Sequence, residues 1–189
     1  MVGIDNRPQP RYVGDAFLQM DFLEALAMLA DGTRLTFSDG HAYSLHEFDA
    51  IHASPPCQRY AAVTRWRGRA DTHDDLLVPT IEYLETVGIP WVVENVPGAP
   101  MEPHFILCGS MFDVPVRRHR WFRVSWAGFA LMPPCNHRRL LPFMHKGERA
   151  YADAMECSWM TVCEARQAIP PAYTEFIGRR LMEATGATP

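Results

Sequence analysis

The chain has 189 residues, 48% of them hydrophobic and 21% charged, the balance expected of one folded domain and not of a disordered or fibrous chain. No apolar run approaches the ~18 residues of a membrane helix, and Met1 to Pro8 contain no apolar stretch of signal-peptide length, so a cytosolic, membrane-free protein is expected. The net charge of −4 argues against a uniformly basic nucleic-acid binder.

Val2 to Asp5 reads as a short buried strand ending in an acid. Asp21 to Ala30 reads as a helix, with Asp21 as N-cap and apolar residues at helical spacing. Arg34 to Leu45 reads as a hairpin turning at Ser38-Asp39-Gly40. Asp49 to Ala53 is a buried strand, Asp75 to Val87 a helix stopped at Gly88, and Trp91-Val92-Val93 a further buried strand. Val116 to Ser125 is a strand or a strand pair. Ala127 to Ala150, rich in Pro, His and Arg, reads as a loop region or small insert. Thr161 to Ala168 and Ala172 to Ala184 are closing helices separated by Pro170-Pro171. Strands alternating with helices predict an α/β fold with a parallel sheet.

Charge along this chain is uneven. Between Pro103 and Lys146, Arg117, Arg118, Arg120, Arg123, Arg138, Arg139 and Lys146 stand against the single acid Asp113. Arg59, Arg65, Arg67 and Arg69 form a second basic cluster. A locally basic face suits an anionic ligand such as DNA, or is simply a solvated surface. Lysine occurs once in the chain, so the arginines reflect codon usage as well as chemistry. Five cysteines, an odd number without an export signal, point to reduced thiols.

Three stretches carry candidate chemistry. In Ala53-Ser54-Pro55-Pro56-Cys57-Gln58 two prolines stiffen a loop at the carboxyl end of a strand, where open α/β sheets bind ligands. A cysteine there, followed by four arginines, is either a nucleophile with a lowered pKa or an inert turn residue. In Trp91-Val92-Val93-Glu94-Asn95-Val96, a carboxylate at the end of a buried strand is costly unless paired or protonated; it either holds a proton beside a ring nitrogen or caps a helix. In Arg117-Arg118-His119-Arg120, an extended backbone puts Arg118 and Arg120 on one face, fit for a base edge, a phosphate or a carboxylate, or else for solvent.

Pro-Cys-Gln, then Glu-Asn-Val, then Arg-x-Arg, in this order, resembles the DNA cytosine-5 methyltransferases, most closely the short phage and actinobacterial-type DNA methylases, from Val2 to about Leu181. The resemblance implies a Rossmann-like methyltransferase fold and S-adenosylmethionine-dependent methylation of cytosine in double-stranded DNA. It implies Cys57 as the nucleophile toward carbon 6 of a flipped-out cytosine, and Glu94 as the acid at ring nitrogen 3. It implies Arg118 and Arg120 as the pair orienting base and loop, although the family glutamine two residues before the first arginine is Val116 here. Asp5, Asp21, Phe22, Ile177 and Gly178 are the implied cofactor residues. Pro56, Gln58, Asn95, Arg59 and Arg65 are the implied substrate contacts. The implied organisation is a catalytic core over 1–125, a target-recognition insert over 126–159 and closing helices over 160–189, in a phage or its bacterial host, with a homodimer or a partner chain allowed.

One family feature has no counterpart. A strand ending in a Phe-x-Gly-x-Gly-type loop, which cradles the methionine end of the cofactor, is expected ahead of the strand holding Gly3 and Asp5. No two of the 12 glycines lie within three positions of each other, so no substitute loop is present and an N-terminally incomplete fold is expected. This keeps a second reading open, a catalytically silent methylase-like module that binds DNA or protein. A third is thymidylate-type methylation of a free nucleotide, which also uses a Pro-Cys nucleophile. Cys135, His137, His145, Cys157 and Cys163 match no standard zinc spacing, so no metal is expected.

Overall fold

The computed structural model describes residues 1–127, 130–138, 141–142 and 149–186. Strand β1 (Val2–Asp5) pairs in parallel with β2 (Ala16–Gln19), from Val2 opposite Ala16 to Asp5 opposite Gln19. Helix α1 (Phe22–Ala30) begins where its cap predicts: the Asp21 carboxylate accepts the Leu23 and Glu24 N–H groups at 2.9 and 3.1 Å. It buries Ala25, Leu26 and Leu29, residues one helical turn apart. The expected hairpin is β3 (Leu35–Thr36) with β4 (Ala42–Tyr43), turning through Gly40 at φ 81°, a backbone that glycine adopts without steric cost.

The next elements build the main sheet. They are β5 (Ile51–Ala53), a short α2 (Ala62–Trp66), α3 (Leu77–Leu84), β6 (Trp91–Asn95) and β7 (Phe105–Leu107), then β8 (Val116–Arg117) and β9 (Arg120–Val124). Strand β10 (Leu141–Pro142) lies beside β8. Helices α4 (Arg149–Ala154), α5 (Val162–Ala165) and α6 (Pro171–Thr185) close the described chain. Pro170 and Pro171 fall at the entry to α6, where a missing N–H costs nothing.

Among the described residues the central sheet has the order β5-β6-β9-β7. β5 and β6 are parallel, as expected, but β9 is antiparallel to both neighbours. The expectation of a parallel sheet is therefore corrected to a mixed α/β architecture. The cause is connection length: the turns between β7, β8 and β9 carry no crossover helix, so the chain can only double back. Strands β1 and β2 form a separate ribbon.

Both faces of the central sheet are covered. Along β6, Trp91 and Val93 join the cluster with Leu26, Leu29, Leu77 and Ile81, whereas Val92 joins Phe105, Leu107, Phe122, Tyr173 and Ile177. This period-two division places α1 and α3 on one side and α6 on the other. A third cluster unites Val114 and Val116 with Tyr151, Ala152, Met155, Cys157 and Ala165. Within the 126–159 region, Tyr151, Ala152, Met155 and Cys157 thus pack into this third cluster, and Trp126, Ala130 and Met132 pack against the second.

Candidate functional site

Strands β5 and β6 pair with Ala53 opposite Val93, so their carboxyl ends emerge side by side. The loop after β5 carries Cys57, and the last two residues of β6 are Glu94 and Asn95. Asn95 is fully buried and donates its side-chain amide to the Pro55 carbonyl at 3.0 Å, while its Oδ1 accepts the Val96 N–H at 2.9 Å. It ties the Pro-Pro-Cys loop to the sheet. Expected as a substrate contact, Asn95 spends its hydrogen bonds on the protein's own backbone.

Glu94 is 6% exposed. Arg120, the first residue of β9, brings its Nε to 2.7 Å from Glu94 Oε1. The contact is an ion pair whose N–H is not aimed along the line to that oxygen, which counts no directed hydrogen bond. Burial raises the Glu94 carboxyl above the ordinary range; Arg120, then Arg118, then a hydrogen bond with Ser54 act against it. A glutamate so placed holds a proton more readily than one in water.

Burial likewise pushes the Cys57 thiol up. Arg120 opposes this, Glu94 adds to it, and Arg118 opposes it more weakly. The sequence suggested a thiol lowered by the arginines that follow it. The structure corrects both halves of that expectation: the pKa is raised, and the cations acting on the thiol come from the β8–β9 turn, not from Arg59, Arg65, Arg67 or Arg69.

Arg118 and Arg120 do different work. Arg118 is 2% exposed, donating to the Tyr151 hydroxyl at 3.2 Å and the Arg166 carbonyl at 2.9 Å. Tyr173, fully buried in α6, donates its hydroxyl to the Arg118 carbonyl at 2.6 Å. Arg118 therefore braces the turn against α4, α5 and α6, and Arg120 faces Cys57 and Glu94. Sequence reasoning did not single out Tyr151, Tyr173 or Ser54. A buried tyrosine with no apolar-only explanation is the signal that would have found the first two.

The remaining expected contacts are peripheral. Pro56 and Gln58 flank Cys57 and are exposed. Arg59 donates to the His73 carbonyl at 2.8 Å, and Arg65 is exposed on α2 beside Trp66, which is 83% exposed. Trp66, Val63 and Arg65 thus form an apolar and cationic edge next to the thiol loop.

The expected cofactor residues are only partly gathered. Ile177 and Gly178 line a cavity of about 150 Å³ between α6 and the sheet, walled by Ile51, His52, Val92 and Phe122. Asp5, Asp21 and Phe22 are not in its lining. The Asp5 carboxylate accepts from the Arg7 N–H and the Gln9 side chain, and that of Asp21 caps α1. The five residues do not line one cavity.

No helix among the described residues is long and apolar enough to cross a membrane. Neither protein-family models nor curated proteins give a match to this chain.

Proposed function

We propose that the chain acts on cytosine in DNA as a cytosine-5 methyltransferase, with Cys57 as nucleophile, Glu94 as the proton-holding group and Arg120 as the cation between them. The observation that carries this reading is the convergence of Cys57, Glu94 and Arg120 at the carboxyl ends of two adjacent parallel strands. Carbon 5 of cytosine is a weak nucleophile until carbon 6 is saturated. The Cys57 thiol loses its proton to solvent and its sulfur lone pair adds to carbon 6, pushing the carbon 5–carbon 6 electron pair into the ring. Glu94 in its acid form, which burial favours, shares its own carboxyl proton with ring nitrogen 3, so the ring accepts the electron pair without building a full negative charge. Carbon 5 is then an enamine carbon, ready for an electrophile. Once carbon 5 is substituted, solvent takes its proton, the carbon 5–carbon 6 double bond re-forms and the carbon–sulfur electron pair leaves on sulfur, freeing Cys57 as the thiolate. S-adenosylmethionine, when bound, supplies an electrophilic methyl group.

A base within a duplex cannot reach a thiol set in this loop, so the reading requires a flipped-out cytosine, at a cost of a few kcal/mol. The exposed Trp66 and Arg65 on α2 and the exposed Arg117 suit that task, offering a ring for stacking and cations for phosphate. The scattered cofactor residues favour a second reading, a methylase-like module that holds DNA without transferring methyl groups.

The test is covalent trapping on duplex DNA carrying 5-fluorocytosine or 2-pyrimidinone in place of cytosine, with and without S-adenosylmethionine. Methyl transfer predicts a denaturant-stable adduct on 5-fluorocytosine DNA that needs the cofactor and disappears in Cys57→Ser. An adduct on 2-pyrimidinone DNA alone favours the silent module. Undiminished adduct in Cys57→Ser overturns the assignment of the nucleophile.

A further inference from the structure

Four side chains from three separate stretches meet beside the Arg-x-Arg turn. They are Cys108 after β7, His119 between Arg118 and Arg120, and Cys135 and His137 from the insert. Their ligand atoms all lie within 4.8 Å of one another. Cys108 Sγ is 3.5 Å from His137 Nε2, and Cys135 Sγ is 3.5 Å from His119 Nε2. The two imidazoles stand edge to face, 5.0 Å between centroids.

We infer that Cys108, His119, Cys135 and His137 bind a structural zinc ion that clamps the insert onto the turn carrying Arg118 and Arg120. A zinc ion at ~2.3 Å from sulfur and ~2.0–2.1 Å from nitrogen, in a tetrahedron, sets sulfur and nitrogen ~3.6 Å apart. Both cross-paired contacts have that separation. Two thiolates and two neutral imidazoles balance the charge of the ion, the two thiol protons passing to solvent on binding. With four protein ligands the site has no open position, which makes it structural and not catalytic.

The surroundings give the clamp a purpose. Residues 133–138 are all exposed and have no regular secondary structure, so little burial holds them in place. Their anchors within this region are the Asn136 N–H on Ser110 Oγ at 3.1 Å, and Ser110 Oγ on Cys108 Sγ at 3.6 Å. Gly109, next to Cys108, runs so close to the segment leading into β8 that a Cβ there would sit 2.6 Å from the Val114 carbonyl. Cys108 thus stands on the close-packed, buried side of the four residues, and the exposed 133–138 segment is the side a metal would fix. The ligand set differs from the Cys135, His137, His145, Cys157 and Cys163 combination weighed from sequence. Cys157 is buried against the Met155 carbonyl, Cys163 lies on α5, and His145 lies outside the described residues.

The inference does not rest on the methylase reading, since metal content is read without DNA or cofactor. The full chain, purified without chelator and passed through a desalting column with zinc, is measured by elemental mass spectrometry. Equimolar zinc is expected, falling at least tenfold in Cys135→Ser and in His137→Ala and unchanged in Cys163→Ser. Cobalt substitution is expected to give the intense visible bands of a tetrahedral thiolate site. Chelation is expected to speed tryptic cleavage after Arg138 without unfolding the sheet. The ligand variants lie at exposed positions, and circular dichroism checks that they fold. A wild-type chain that holds no metal, variants that retain it, or a Cys108–Cys135 disulfide in the non-reduced protein would each overturn the inference.

Discussion

Replacing Glu94 by Gln separates the stability of the site from its chemistry. The side chain is 7% exposed and its partner Arg120 13%, so both charges are largely out of water. Two terms oppose each other. Removing one member of a buried ion pair costs ~3–5 kcal/mol where attraction dominates; where desolvation dominates, as when a whole buried pair gives way to apolar residues, the change is neutral or stabilising by ~1–4 kcal/mol. The direction of the carboxyl decides between them. Burial outweighs Arg120 and Arg118 and raises the Glu94 pKa, so ionised Glu94 is less favourable here than in water. The folded state then binds the proton more tightly than the unfolded state. Stability from this group is complete below the ordinary carboxyl value of 4.5 and is lost as pH rises through the raised folded value. Glutamine keeps the shape and loses nothing with pH. Glu94→Gln is expected to be within ~1 kcal/mol of wild type near the ordinary carboxyl pKa, and to gain on it progressively as pH rises through the raised folded value. Urea unfolding across a pH series reads this directly. The same variant is expected to lose at least tenfold in adduct formation on cytosine-analogue DNA, because the amide can donate a hydrogen bond at nitrogen 3 but cannot transfer a proton to it. A uniform loss of ~3 kcal/mol or more at every pH would refute the reasoning, since it would mean that the Arg120 attraction wins and that Glu94 is a structural anion.

The thiol gives an independent check: Glu94 adds to the raised pKa of Cys57, so Glu94→Gln is expected to speed Cys57 alkylation at neutral pH, and Arg120→Met to slow it, both measured by peptide mass spectrometry. Asn95→Ala strands the Pro55 carbonyl in a buried site and is expected to cost ~1–3 kcal/mol in urea unfolding and to loosen the Cys57 loop; a neutral result would show that the loop holds itself. Asp21→Ala removes the cap of α1 and is expected to cost ~1 kcal/mol, with retention of stability refuting the cap as a net contribution. Trp66→Ala, at a position 83% exposed, is expected to leave the melting temperature unchanged while weakening DNA binding severalfold in a salt titration; equal binding would remove α2 from the DNA-facing surface.

What the sequence made legible follows from how local the signals are. The cap at Asp21, the Gly40 turn, and the strands around His52 and Val93 are written in a few adjacent residues, and each is where it was expected. Strand direction is not local. Phe105 to Leu107 was not recognised as a strand, and without it nothing in the Val116 to Ser125 segment reveals that β9 inserts between β6 and β7. Chemistry followed the same division. Pro-Cys-Gln and Glu-Asn-Val each sit on one strand end, so their juxtaposition followed from pairing β5 with β6. The cations acting on Cys57 were sought among its sequence neighbours, yet they arrive from 61 to 63 residues away, on a strand whose placement the pattern did not give.

The same turn explains why the site and the proposed zinc clamp belong to one argument. Arg118 faces inward to Tyr151 and Arg166, Arg120 faces Glu94, and His119 between them faces Cys135. Three consecutive residues thus serve three different neighbours, which fixes the turn from three directions. Under the proposed reading, Arg120 stands 2.7 Å from Glu94 while Cys57 meets a base, and a backbone error of an ångström would destroy either contact. Tyr173 holds the Arg118 carbonyl at 2.6 Å, whereas the His119 side chain meets Cys135 in an exposed segment. A metal at His119 supplies that third anchor. The expected consequence is directional: metal loss should reduce Cys57-dependent adduct formation by misplacing Arg120, whereas loss of Cys57 should leave metal content unchanged. Adduct formation that is indifferent to chelation would confine the clamp to holding the insert.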